Sequence, residues 1–138
     1  MDGFEFVGTY TVKLDDKNRL AMPVQLRNQF GGHTVYFTLG KEHCLTVLPK
    51  PSFDVQKARI NAMDVGTEEG RRARRQFFST AQVITPDGQG RFTLPQTHVE
   101  HLRLKDSREL TVLGAGDYVE VWDAQEYADY EAANRKAA

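Results

Sequence analysis

Asp15-Asp16-Lys17-Asn18-Arg19-Leu20-Ala21-Met22-Pro23 is answered further along the chain by Asp87-Gly88-Gln89-Gly90-Arg91-Phe92-Thr93-Leu94-Pro95. The two stretches share Asp-x-x-x-Arg, two apolar positions and a proline, at an offset of 72 residues. Each reads as a turn that runs into a short strand and stops at proline. Asn18 and the glycines of the second copy tolerate the left-handed backbone of such turns. Pro23 suits the first turn of a helix over roughly 24–30, which Gly31-Gly32 would end. The likeness continues: Leu39-Gly40 matches Leu113-Gly114 at an offset of 74, Val47 matches Val121, and Phe53 matches Tyr127. That period is too long for a solenoid repeat. It predicts two half-domains of about 60 residues, each marginal in core size on its own. The halves are expected to complete one shared barrel or to pair with another chain.

Working outward, Phe6 to Leu14 alternate. Phe6, Tyr10, Val12 and Leu14 fall on one face, with Thr9, Thr11 and Lys13 on the other, as in a half-buried strand. Thr34 to Leu39 and Cys44 to Leu48 are β-rich runs around a Gly40-Lys41-Glu42-His43 hairpin loop. Pro51-Ser52 opens a helix through about Met63, with Ser52 as its N-cap. A second helix starts near Thr67, with Glu68 and Glu69 in its first turn and Arg71, Arg72, Arg74 and Arg75 beyond, an order that suits the helix dipole. Phe77 to Thr85 reads as a strand, and Asp123-Ala124-Gln125-Glu126 as a capping box. The predicted class is α+β, mainly β. Its parts are a first repeat over 9–51, a helical linker with the basic helix over 52–78, a second repeat over 80–125, and a C-terminal helix or tail over 126–138.

Composition narrows the function classes. The 138 residues carry 18 Lys+Arg and 19 Asp+Glu, for a formal net charge of −1. A uniformly basic nucleic-acid coat is excluded, so polyanion binding needs a local patch or several copies of one. Residues 1–76 hold 12 basic and 9 acidic groups, and residues 77–138 hold 6 and 10. No apolar run approaches the roughly 18 residues of a spanning helix. The acidic start predicts no secretory signal. Cys44, the single cysteine, leaves no internal disulfide and suits a reducing cytoplasm.

The Asp-x-x-x-Arg turns have a structural reading, in which the aspartate accepts turn N–H groups and the arginine is solvated. They also have a functional one. Each loop would present an arginine, steadied by its aspartate, whose planar fork can bond guanine O6 and N7 or grip a phosphate. Occurrence twice in one chain favours the second reading. On it, Asp15, Lys17 and Arg19 form one site and Asp87 and Arg91 the other. Arg71, Arg72, Arg74 and Arg75 read equally as a solvated face paired with Glu68 and Glu69, or as phosphate contacts without sequence choice.

Other residue types carry less. His33, His43, His98 and His101 read as surface or structural histidines; the last two could share a helix face. Gly88-x-Gly90-Arg91 lacks the ending of a phosphate loop. Cys44 lies in an apolar strand and reads as buried. Tyr127 and Tyr130 read as helix-face packing, and Phe77-Phe78 as core or subunit contact. No acid, base and nucleophile converge, and no metal ligand set or cofactor motif stands out.

Gly8-Thr9-Tyr10 leading into Leu14 to Pro23 resembles the first half of the bacterial MraZ transcriptional regulators. Asp87 to Pro95 resembles their second half, and Val121-Trp122-Asp123 the end of their second repeat. The likeness covers nearly the whole chain. It implies two fused AbrB-like repeats forming a swapped-hairpin β-barrel, with assembly into homo-oligomeric rings. It further implies binding of short G-rich direct repeats in double-stranded DNA upstream of the division and cell-wall gene cluster, repression of its own operon, and a cytoplasmic, nucleoid-associated protein without catalysis or cofactor. Carried over, the DNA-reading elements are Asp15 with Arg19 and Asp87 with Arg91. One departure is Asn18, where the family prefers Gly. Rival readings are an AbrB-like antitoxin, against which the second motif copy argues, and a protein-interaction ring with no nucleic-acid role.

Overall fold

A computed structural model describes residues 3–137. Among them are eight strands and five helices. The first repeat supplies β1 (Thr9–Lys13), β2 (Arg19–Ala21), α1 (Val24–Phe30), β3 (Val35–Leu39), β4 (Cys44–Leu48) and α2 (Lys50–Asn61). Then come α3 (Glu68–Thr80), β5 (Gln82–Ile84), β6 (Arg91–Thr93), α4 (Gln96–His101), β7 (Glu109–Gly114), β8 (Val119–Asp123) and α5 (Ala124–Ala137). The fold is α+β, with all strand pairs antiparallel: a six-stranded sheet in the order β1-β7-β8-β4-β3-β5, and a ribbon of β2 and β6.

The pairing is built on exchange. β1 of the first repeat joins β7 of the second, and β5 of the second joins β3 of the first. Two registers reveal a local two-fold relation. Leu20 of β2 faces Phe92 of β6, its own counterpart 72 residues on, and Thr46 of β4 faces Glu120 of β8, its counterpart 74 residues on. A half of this size gains little from a sheet of its own, and shared strands let both halves close one core. Phe6, Leu14, Leu20, Phe37, Phe92 and Leu110 are buried together in that core, and they come from both repeats.

Several local expectations change. The strand expected over 77–85 is helical as far as Thr80, and only Gln82–Ile84 is extended. Its aromatics suggested a strand, yet Ala73, Phe77 and Thr80 continue one helix face. The Phe77 ring stacks on Phe53 of α2 at 5.4 Å, and Phe53 stacks on Tyr36 of β3 at 4.1 Å. Tertiary stacking therefore settles what the residue types left ambiguous. Ser52 is not the cap of α2: the helix starts at Lys50 behind Pro49, and Ser52 Oγ donates to the Asp117 carbonyl at 2.6 Å. Pro51 lies in the first turn, where its missing N–H costs nothing.

The match of Leu39-Gly40 to Leu113-Gly114 is off by one residue. Phe37 faces Val47 while Val112 faces Val121, so β3 maps onto β7 at an offset of 75. The second hairpin turn is one residue shorter, closing from Ala115 N to Tyr118 O where the first closes from Gly40 N to Cys44 O. That restores the offset of 74 in β4 and β8.

Other signals hold. Gly31 ends α1 at φ 66°, in the left-handed region. Thr67 Oγ1 accepts from Gly70 N and caps α3. Asp123 is buried and accepts from Glu126 N at 3.0 Å, the first half of the capping box. The Glu126 carboxylate turns instead to Lys105 Nζ at 3.4 Å. Tyr127 and Tyr130 pack on Trp122, at 5.2 and 5.1 Å between ring centres.

Candidate nucleic-acid interface

The two Asp-x-x-x-Arg loops have one geometry. In the first, Asp15 Oδ1 accepts from Lys17 N at 3.0 Å and from Arg19 N at 2.7 Å, while Oδ2 accepts from Arg19 Nε at 2.6 Å. In the second, Asp87 Oδ1 accepts from Gln89 N and Arg91 N, both at 2.9 Å, and Oδ2 accepts from Arg91 Nε at 2.8 Å. Backbone bonds repeat as well: Asp15 N to Arg19 O and Asn18 N to Asp15 O match Asp87 N to Arg91 O and Gly90 N to Asp87 O. Asn18 sits at φ 60° and Gly90 at φ 75°, so the asparagine takes the left-handed turn that the second copy gives to glycine.

Each aspartate thus performs both roles the sequence allowed. It closes the turn, and it also clamps the arginine through Nε. The outer nitrogens of each guanidinium stay available as a planar fork. The Arg19 and Arg91 side chains are 28% and 29% exposed, held but not sequestered.

The β2–β6 register places the pair. Arg19 faces Thr93 and Arg91 faces Ala21. Residues opposite each other, and residues two apart on one strand, share a face. Arg19 and Arg91 therefore lie on the same side of the ribbon as diagonal neighbours, with Cα atoms about 7–8 Å apart. Leu20 and Phe92 occupy the other side and are buried. A core-anchored ribbon carries two fixed arginines on its open face.

Both carboxylates are held below the usual range. For Asp15, partial desolvation raises the pKa, but the Arg19 N–H, the Arg19 guanidinium and the Lys17 N–H together outweigh it. For Asp87 the Arg91 N–H is the largest influence, helped by Gln89 N–H and the Arg91 side chain against a smaller desolvation. A lowered folded-state pKa contributes stability above the unfolded value, about 3.9 for Asp, that is lost as pH falls through the folded value. Carboxyl NMR should find both groups titrating below that value, and Arg91→Ala should raise Asp87 toward it. Ordinary titration of both would contradict the clamp.

The arginine cluster lies elsewhere. α3 packs chiefly on α2 and β3. Arg71 Nη1 donates to Val65 O at 2.8 Å and Arg74 Nη1 to Asn61 O at 3.5 Å, while Arg72 approaches Glu68 at 3.9 Å. Arg71 and Arg74 bind the turn between α2 and α3; Arg75 is exposed.

His33 is exposed, whereas the other three histidines bond backbone carbonyls, His43 Nδ1 lying 3.2 Å from His101 O. His98 is buried on α4, with Nε2 at 2.8 Å from the Thr80 carbonyl. Desolvation lowers its pKa, with His101 adding to this and the Thr80 bond opposing, so it is a neutral ring donating from Nε2. His101 Nε2 lies 3.1 Å from Gly40 O and 3.0 Å from Glu42 O. Cys44 is buried, and burial pushes its thiol up to about 12, which leaves it unreactive.

Two loop neighbours went unnoticed in the sequence. Arg108, just before β7, donates from Nη2 to Asp15 O at 2.7 Å and to Asn18 Oδ1 at 2.6 Å, and from Nε to Leu14 O at 3.3 Å. Arg27 of α1 donates to Gln89 O at 3.4 Å. Each contact joins one repeat to the other across more than 60 residues of chain. No local spacing could have shown them.

Comparison with known proteins agrees with this duplication. A family model described as "MraZ protein, putative antitoxin-like" matches residues 6–76 and again 77–138. The chain is similar to the transcriptional regulator MraZ of Corynebacterium efficiens, 40% identical over 126 residues, covering 91% of this chain and 86% of the relative. The MraZ of Clavibacter michiganensis subsp. michiganensis is 37% identical over 132 residues, covering 96% and 90%. That of Mycolicibacterium smegmatis is 35% identical over 131 residues, covering 95% and 90%.

Proposed function

Since the chain belongs to the MraZ family, whose members are non-enzymatic transcriptional regulators, we propose that it is a sequence-specific DNA-binding regulator. Its readers are Arg19 and Arg91, clamped by Asp15 and Asp87 on one face of the β2–β6 ribbon. The observation that carries this reading is the duplicated clamp: each aspartate occupies Nε and leaves a planar fork for a guanine edge or a phosphate. Lys17 is exposed beside the first loop and adds a phosphate contact. On α3 the exposed Arg75 supplies a further phosphate contact without base choice.

On this reading the two repeats, with boundaries near 9–51 and 80–125 and a helical linker over 52–78, form an AbrB-like swapped-hairpin barrel, which the exchange of β1 and β5 between the repeats supports. Several copies assemble into a ring that sets its loops against successive short G-rich direct repeats. A chain of net charge −1 needs such linkage, because linked sites raise effective concentration. The operator lies upstream of the division and cell-wall gene cluster, the protein represses its own operon, and it works in the cytoplasm at the nucleoid.

Binding to a duplex with four spaced G-rich repeats, against a scrambled duplex at about 50 and 200 mM salt, tests the proposal. Tight, salt-sensitive binding lost on scrambling is expected. Equal weak binding to both duplexes would reject the operator reading. Co-purification of a small toxin would then favour the antitoxin alternative.

A further inference from the structure

We infer that Arg108 is the positioning residue of the first arginine loop: reaching over from the second repeat, its guanidinium holds the Asn18 side chain and two loop carbonyls, and so fixes how Arg19 is presented. The consequence for DNA rests on the reading above; the clamp itself does not.

The two loops share their internal bonds but differ in what braces them from behind. Asn18 takes a left-handed conformation that a glycine would adopt without steric cost. What the asparagine adds is an amide, and Arg108 Nη2 donates to its Oδ1 at 2.6 Å. The same nitrogen lies 2.7 Å from Asp15 O, and Nε is 3.3 Å from Leu14 O. Leu14 N returns a bond to Arg108 O at 2.9 Å, and Arg108 itself is left-handed at φ 57°. The fork thus binds the entry, the first residue and the left-handed residue of one turn. Lysine, a point charge with rotatable donors, cannot reproduce that geometry.

Among the described residues the second loop has no such brace. Gly90 offers no side chain, and its neighbour is Arg27, with a single bond of 3.4 Å to Gln89 O. A Cβ on Gly90 would stand 2.6 Å from Arg27 Cδ, so an asparagine there would have to displace that arginine. The repeats have therefore diverged into one loop tied by a cross-repeat side-chain clamp and one kept open by glycine. A loop already held in its binding geometry loses less freedom on binding.

The test compares the unmodified protein with Arg108→Lys, Asn18→Gly and the double variant. One readout is amide hydrogen exchange at Lys17 and Arg19, with Gln89 and Arg91 of the other loop as internal reference. The other is the ratio of binding to the four-repeat duplex over its scrambled counterpart at fixed salt. Arg108→Lys is expected to quicken exchange at Lys17 and Arg19 by about tenfold, with Gln89 and Arg91 unchanged, and to lower the binding ratio by about tenfold. In the Asn18→Gly background the same lysine change should cost clearly less, because one of the bonds is already absent. Unchanged exchange, equal effects in both loops, or additive effects would overturn the clamp. Faster exchange with an unaltered binding ratio would overturn its role in presenting Arg19. If the unmodified protein shows no preference between duplexes, the DNA reading falls by itself, and exchange alone decides the clamp.

Discussion

Replacing Arg19 and Arg91 together by alanine is expected to erase the preference for G-rich repeats over scrambled DNA while the protein stays folded. A good bidentate arginine–guanine contact gives about 1–3 kcal/mol of discrimination, so two per chain amount to about 2–6 kcal/mol before any multiplication by assembly. The binding ratio should fall by about thirtyfold or more. Both side chains lie on the open face of the ribbon, outside the buried core, so thermal unfolding should shift only by the loss of the two Asp–Arg clamps. Each single variant should show part of the loss. Operator affinity unchanged in both single variants would end the assignment of these loops as readers. Loss of the folded state would show instead that the clamps are structural.

The second large effect is expected beneath the same ribbon. Phe92 is 1% exposed, faces Leu20 across the strand pair and lies 5.7 Å from the Phe37 ring. Phe92→Ala removes a whole ring from the place where the repeats meet. Such changes cost about 3–5 kcal/mol, against a total stability of about 5–15 kcal/mol for an ordinary domain. Urea unfolding should show a large drop in midpoint. Val83, 63% exposed on β5, is the control, and Val83→Ala should stay within about 0.5 kcal/mol. A Phe92→Ala loss below about 1 kcal/mol would mean that the ribbon is not tied to the core, and the fixed presentation of Arg19 and Arg91 would lose its basis.

Legibility followed the range of the interactions. The turn at Asp15 to Arg19 was readable because its bonds span four residues and require particular residue types there. Gly31 and Thr67 were readable as helix ends for the same reason. Phe77 was not, since an aromatic suits strand and helix alike until Phe53 and Tyr36 are placed against it. The match of Gly40 to Gly114 misled by one residue, because identity of type is weaker evidence than ladder register, and a shorter hairpin turn absorbed the shift. Of the basic cluster, the sequence showed density and dipole order. Its bonds to Val65 and Asn61 needed the fold of the α2–α3 turn.

By itself, the sequence determined the duplication, the two clamped-arginine turns, the α+β class and the absence of a uniformly basic coat. All of these rest on short-range stereochemistry or on counting. Tertiary structure alone decided that the repeats exchange β1 and β5, that Arg19 and Arg91 share one face, and that Arg108 braces a loop some 90 residues away. Those outcomes depend on which strand completes which sheet. That choice is made by burying both halves' apolar faces in one core, an energy that belongs to the assembled chain and to no local segment of it.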